Sequence, residues 1–99
     1  SYFGIKADGK LIEEPPKGIL SGSFNPLHDG HQKLAKAAEK ILAAPVGFEL
    51  SVVNADKPDL ALPEVFNRLA QFAGKHTILA GSAPTFVEKA QLYPGTTFV

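Results

Sequence analysis

Apolar positions along this chain follow two rhythms, a short continuous one and a helical one, and they take turns. Ile19-Leu20 form a brief apolar run that enters Ser21-Gly22-Ser23, which predicts a strand near 18–22 ending in a tight turn. From Asp29 the spacing becomes helical: Leu34, Ala35, Ala38, Ile41 and Leu42 recur on one side, Asp29 and Gln32 suggest a capping-box-like start, and Pro45 marks the end. A second apolar, β-prone run predicts a strand at 48–53, leading into the loop Asn54-Ala55-Asp56-Lys57-Pro58. Pro63 is placed to open a second helix with Val65, Phe66, Leu69 and Phe72 on one side and Gly74 as its stop. A third strand is expected at 77–81, a short helix over Thr85 to Leu92 with Phe86, Ala90 and Val87 facing inward, and a last strand at 96–99. Ahead of all this, Tyr2–Lys6 and Lys10–Ile12 flank the Asp8-Gly9 turn signal, as a hairpin or the remnant of a preceding segment. Glu13-Glu14-Pro15-Pro16 reads as a linker. The expected division is therefore a hairpin and linker over 1–16 and one domain over 17–99.

Strands that alternate with helices imply an α/β domain whose parallel sheet is joined by helical crossovers. Such folds bind ligands at the carboxyl ends of their strands, near the reversal of strand order. The loops after Leu20 and after Val53 are the places to look. Composition narrows the function classes. The 99 residues carry 44% hydrophobic and 20% charged positions, ordinary for a globular domain, and their formal net charge is zero. No basic surplus points to nucleic acid or an anionic membrane. No apolar run nears the roughly 18 residues of a membrane span, and the start lacks a signal-peptide pattern. Without cysteine there is neither a disulfide nor a thiolate zinc site, and a cytoplasmic location is the expectation. Methionine is absent too, and the chain ends on an apolar run. Both ends therefore read as cut from a longer protein.

The chemistry gathers in Gly22-Ser23-Phe24-Asn25-Pro26-Leu27-His28-Asp29-Gly30-His31, between the first strand of the domain and its first helix. A helix N-terminus offers unpaired N–H groups and the positive end of the macrodipole, together an anion site. Gly22 and Ser23 let the backbone approach a bound group, and Gly30 removes a side chain where a nucleotide could lie. His28 and His31, three residues apart, can converge over that site as hydrogen-bond donors. Such a pair suits a triphosphate and the charge that develops as pyrophosphate leaves.

Those ten residues resemble the G-[ST]-F-[DN]-P-x-H-x-G-H signature of the HxGH nucleotidylyltransferase superfamily, matching every fixed position. The resemblance implies a Rossmann-like parallel sheet with flanking helices, here truncated at the C-terminal end. It also implies transfer of a nucleoside monophosphate, AMP from ATP, to a phosphorylated acceptor such as a nicotinate or nicotinamide mononucleotide-like compound, with Mg²⁺ accompanying the triphosphate. Ser-Phe-Asn-Pro is closer to the nicotinate-type adenylyltransferases than to the cytidylyltransferases, although a cytidylyltransferase stays open as an alternative. By this resemblance His28 and His31 contact the β- and γ-phosphates and the transition state. Gly30 packs under the base or ribose, and the backbone of Gly22, Ser23 and Phe24 meets the α-phosphate and the acceptor, with Asn25 ordering the same nucleotide-binding loop. Lys57 is the candidate for the phosphate-assisting lysine that the family often carries after its second strand.

The family's second signature, Ile-Ser-Ser-Thr-x-x-Arg or a variant, is not found in this sequence. The alternative to an enzyme is thus a nucleotide-binding module without turnover; a synthetase-like adenylation domain fits the small size and neutral charge less well. The expected partners are a nucleotide and a phosphorylated acceptor, with neither nucleic acid nor membrane, and homo-oligomerisation left open. No metal ligands are assigned: Asp56 beside Lys57 reads as a solvated pair rather than a Mg²⁺ site. His76 reads as an exposed, inert histidine, and Phe66, Phe72 and Phe86 as core rather than a base-stacking platform.

Overall fold

The computed structural model describes residues 2–52 and 60–99. In chain order its elements are strand β1 (Tyr2–Ile5), strand β2 (Gly18–Gly22), helix α1 (Asp29–Leu42) and strand β3 (Val46–Leu50). Helix α2 (Leu62–Ala70), strand β4 (Ile78–Gly81), helix α3 (Phe86–Leu92) and strand β5 (Thr97–Phe98) follow. The strands make one sheet in the order β1-β4-β3-β2-β5. β2 pairs in parallel with β3 from Gly18 opposite Val46 to Gly22 opposite Leu50, and β3–β4 and β2–β5 are parallel as well. The parallel α/β sheet expected from the alternating elements is present. The sequence 1–16 adds an antiparallel edge, because β1 lies against β4 with Tyr2 opposite Gly81. Its hairpin partner is reduced to a single bridge, Ile5 to Leu11, around the Gly9 turn.

Alternation along each strand sorts the side chains onto two faces. One face carries Leu20, Val46, Phe48, Leu50 and Ile78, packed with Phe24, Ala35, Ala38 and Phe72. Helices α1 and α2 cover it, α2 through the half-buried Val65 and Leu69. The other face carries Ile19 and Leu79, covered by Tyr93, Leu92, Phe98, Tyr2 and Ile12. The strand expected at 48–53 is β3, which begins at Val46, because Val46 and Gly47 already pair with Gly18 and Ile19, and ends at Leu50; residue 53 lies outside the described residues.

Helix α1 meets the sheet through small residues, Ala35 and Ala38, and then Leu42. Leu34 and Ile41, expected on the inner side, are exposed, Ile41 to 84%. One residue before Ala35 and Leu42, they sit about 100° round the helix from that stripe. The helix stops before Pro45: Ala43 takes a left-handed conformation at φ 52° and donates to the Glu39 carbonyl. Helix α2 ends at Ala70, with turns carrying the chain to Gly74 at φ 74°. Phe72 is fully buried, whereas Phe66 is 64% exposed, so only one of this pair joins the core.

Helix α3 corrects the pattern most. Phe86, Val87 and Ala90 were expected to face inward, but all three are exposed. The inward position belongs to Lys89, whose ammonium lies 2.8 Å from the Glu49 carboxylate in the middle of β3. Ser21 Oγ donates to the same carboxylate at 2.7 Å, and Lys89 Nζ donates to Ser51 Oγ at 3.3 Å. Glu49 is buried in β3, and a buried carboxylate needs a counter-charge, so Lys89 takes the side of α3 that faces it and Phe86, Val87 and Ala90 are left outside. Phe86 stays at the rim, edge-on to Phe98 with centroids 5.9 Å apart. Among the described residues, no helix is long and apolar enough to cross a membrane.

The buried pair makes a stability prediction. Lys89→Met leaves Glu49 buried and uncompensated and should cost about 3–5 kcal/mol in chemical denaturation. Adding Glu49→Gln should restore much of that loss. Equal destabilisation of the single and double variants would contradict the assignment.

Candidate functional site

The order of the strands places the site. From β2 the chain moves outward through β3 and β4, then returns across to put β5 on the other side of β2. The reversal therefore lies between β2 and β5, and open α/β sheets bind their ligands at the carboxyl ends of the strands at such a point. The loop 23–28 leaves β2 at that point and runs into α1.

Phe24 anchors the loop. Its ring is buried and meets Phe48, Phe72 and His31 edge-on, with centroids at 5.5, 5.2 and 5.0 Å. Its backbone sits at φ 46°, a region that a bulky residue enters only when its surroundings hold it there. Gly22 is matched to that ring, since a Cβ at Gly22 would stand 3.1 Å from Phe24 carbons. The Phe24 side chain thus belongs to the core. Ser23 and Asn25 are exposed.

Two side chains from the end of α2 hold the loop's backbone. The Gln71 carboxamide accepts from Leu27 N–H at 2.7 Å and donates to the Phe24 carbonyl at 2.8 Å and the Arg68 carbonyl at 3.0 Å. Arg68 donates to the Ser23 carbonyl at 3.1 Å while its Nε is paired with Glu64 at 3.0 Å. Neither residue stands out in the hydropathy pattern. The available signal is that Arg68 is the only arginine in the chain.

At the helix start the two histidines cap one another. His28, rather than Asp29, is the N-cap residue, so the expected capping box moves back by one. His28 Nδ1 accepts from Gly30 N–H at 3.1 Å, and His31 Nδ1 accepts from His28 N–H at 3.2 Å. An Nδ1 that accepts from a backbone N–H carries no proton, so a neutral ring carries its proton on Nε2. The rings stack with centroids 3.7 Å apart and 22° between their planes. The sequence pair thereby becomes two parallel imidazoles, each with Nε2–H as its remaining donor. Gly30 has a local reason: a Cβ there would lie 3.0 Å from His28 Cε1 and 3.1 Å from its Nδ1, crowding the ring that caps the helix. The His31 pKa is pushed below the ordinary histidine value, first by burial and then by the neighbouring His28.

His76 is neither exposed nor without contacts, contrary to expectation. It is half-buried, shares a hydrogen bond of 3.1 Å with Gln32 and packs edge-on to Phe48 at 5.0 Å. Burial and then Lys75 lower its pKa, with Glu39 opposing. Together with Lys36 and Lys75 it lines a cleft of about 410 Å³ beside α1. Lys57 and Asp56 lie outside the described residues. Among those described, no three His, Asp or Glu side chains converge as a metal site.

Comparison of the chain with protein families, with curated proteins and with solved structures yields no match.

The histidine geometry sets a pH dependence. Unfolded His31 titrates near 6.5 and the folded residue lower, so between these values the unfolded chain binds more protons. The stability that neutral His31 contributes is complete above about pH 6.5 and declines as the pH falls through its lowered value. Denaturation midpoints from pH 7.5 to 5 should decline less steeply in His31→Ala than in the wild type, with His76 supplying the remaining slope. Identical slopes would remove His31 from this role.

Proposed function

We propose that this chain is the nucleotide-binding part of an HxGH nucleotidylyltransferase. It would use ATP as donor and a phosphorylated acceptor such as a nicotinate or nicotinamide mononucleotide-like compound. In this reaction an acceptor phosphate oxygen attacks the α-phosphorus, the bond to the bridging oxygen breaks, and pyrophosphate leaves. The protein's part is positioning and charge stabilisation, with no covalent intermediate.

The observation that carries the reading is the paired capping of His28 and His31. With both Nδ1 atoms accepting backbone N–H groups, two stacked rings each keep an Nε2–H donor at a helix N-terminus, in the loop that leaves β2 where strand order reverses. Donors held in place before the substrate arrives need no reorganisation as negative charge builds on the departing pyrophosphate. The α1 N–H groups and macrodipole favour the same anion. Mg²⁺ in this reading is carried by the triphosphate oxygens, where it would neutralise charge, and no described residues are assigned as its ligands.

Titration calorimetry with ATP and Mg²⁺, paired with pyrophosphate release on the same sample, tests the proposal. ATP should bind, and His28→Ala and His31→Ala should each weaken that binding while the chain stays folded. Because the sequence has no match to the second triphosphate signature, turnover is expected only from a chain that carries one. In such a chain either substitution should lower kcat on the order of 10²-fold or more. Unchanged ATP binding in both variants would refute the assignment of the histidines.

A further inference from the structure

We infer that Gln71 and Arg68 are positioning residues for the nucleotide site, acting through the backbone of the loop 23–28; this rests on the reading of that loop as the phosphate-binding turn. The Gln71 carboxamide has little freedom left. Its oxygen accepts from Leu27 N–H, and its nitrogen donates to the carbonyls of Phe24 and Arg68. An amide with its acceptor and both its donors engaged holds one orientation. The groups it grips bracket the loop: the carbonyl of Phe24 at one side and the N–H of Leu27, directly before His28, at the other. Arg68 adds a third hold at the Ser23 carbonyl, and its own guanidinium is oriented by Glu64.

The loop has a physical need for such a clamp. Phe24 sits at φ 46°, where a residue with a Cβ is disfavoured and persists only if it is over-determined. Burial of the ring supplies one constraint and the Gln71 bond to its carbonyl another. Without the second, the backbone between Phe24 and His28 can relax while the ring remains in the core. His28 N–H would then move relative to His31 Nδ1, and the stacked, mutually capped arrangement of the two rings would loosen. A small displacement of this kind weakens a site that works by preorganised donors. The clamp joins residues 44 to 47 positions apart, so the end of α2 sets the aim of the start of α1.

Gln71→Met keeps the length of the side chain and removes its hydrogen bonds; Gln71→Glu keeps the acceptor for Leu27 N–H and loses the donor to Phe24. Long-range ¹⁵N–¹H spectra of the His28 and His31 imidazoles and calorimetric titration with ATP and Mg²⁺ should be recorded for the wild type and both variants. Arg68→Met should be measured alongside them. In Gln71→Met the imidazole signals should shift toward mixed tautomers and ATP affinity should fall about tenfold, the worth of one to two net hydrogen bonds. Arg68→Met should fall between it and the wild type, and Gln71→Glu, whose carboxylate would face the carbonyls of Phe24 and Arg68, should fall at least as far as Gln71→Met. If neither Gln71 variant folds, Arg68→Met decides in their place. A folded variant with wild-type imidazole signals and wild-type ATP affinity overturns the inference. If the wild type itself binds no ATP, the nucleotide reading fails, while the imidazole spectra still report whether the clamp orients the histidines.

Discussion

Burial of the Phe24 ring between Phe48, Phe72 and His31 is the contact on which the rest of the site depends. It plants the loop after β2 in the same core that joins α1 and α2 to the sheet, so the loop is not free to find its own conformation. An aromatic ring of this size, fully withdrawn from water, stabilises by about 1.5–3 kcal/mol, enough to hold its backbone in a region that costs on the order of 1–3 kcal/mol. His31 rests against the edge of the same ring. The core thus reaches directly to one of the two imidazoles, and the other stacks on it.

The histidines serve the fold and the site by one arrangement. Their Nδ1 atoms satisfy N–H groups that a helix start leaves without partners, a task usually given to Ser, Thr, Asp or Asn. Using imidazole leaves a second nitrogen on each cap residue, and that nitrogen is a donor rather than an acceptor. An aspartate in the same place would cap the helix but offer acceptors alone. Gly30 completes the logic by leaving room for the His28 ring.

The opposite face of the sheet follows other rules. It is covered by α3 together with Tyr93, Phe98, Tyr2 and Ile12, and it contains the Glu49–Lys89 pair with Ser21 and Ser51 near the carboxyl ends of β2 and β3. The Tyr93 hydroxyl is buried beside Gly81, with no well-formed hydrogen bond among the described residues. Burial and the nearby Glu49 charge hold it un-ionised, well above the ordinary phenol range. A face with this much polar burial is expensive for a small domain, and its ion pair ties α3 to β3 and, through Ser21, to β2.

Local pattern was enough for the existence and order of the elements from β2 to β5, because apolar periodicity and the Pro and Gly signals act over a few residues. It was also enough to locate the ten-residue segment between β2 and α1, where residue types and spacing are distinctive by themselves. It misjudged Leu34, Ile41, Phe66, Phe86, Val87 and Ala90, since hydrophobicity says that a side chain can be buried but not which neighbour will cover it. It passed over Lys89, Glu49 and Gln71, whose burial or purpose exists only once a partner from a distant part of the chain arrives. His76 was misread for the same reason, its partners Gln32 and Phe48 being remote in sequence. The His28 and His31 pair divides along this line as well. Their proximity came from spacing, whereas the stacking and the reciprocal caps that choose the proton-bearing nitrogen appear only in the folded turn. Such features depend on contacts between separate segments, and only the tertiary structure brings those segments together.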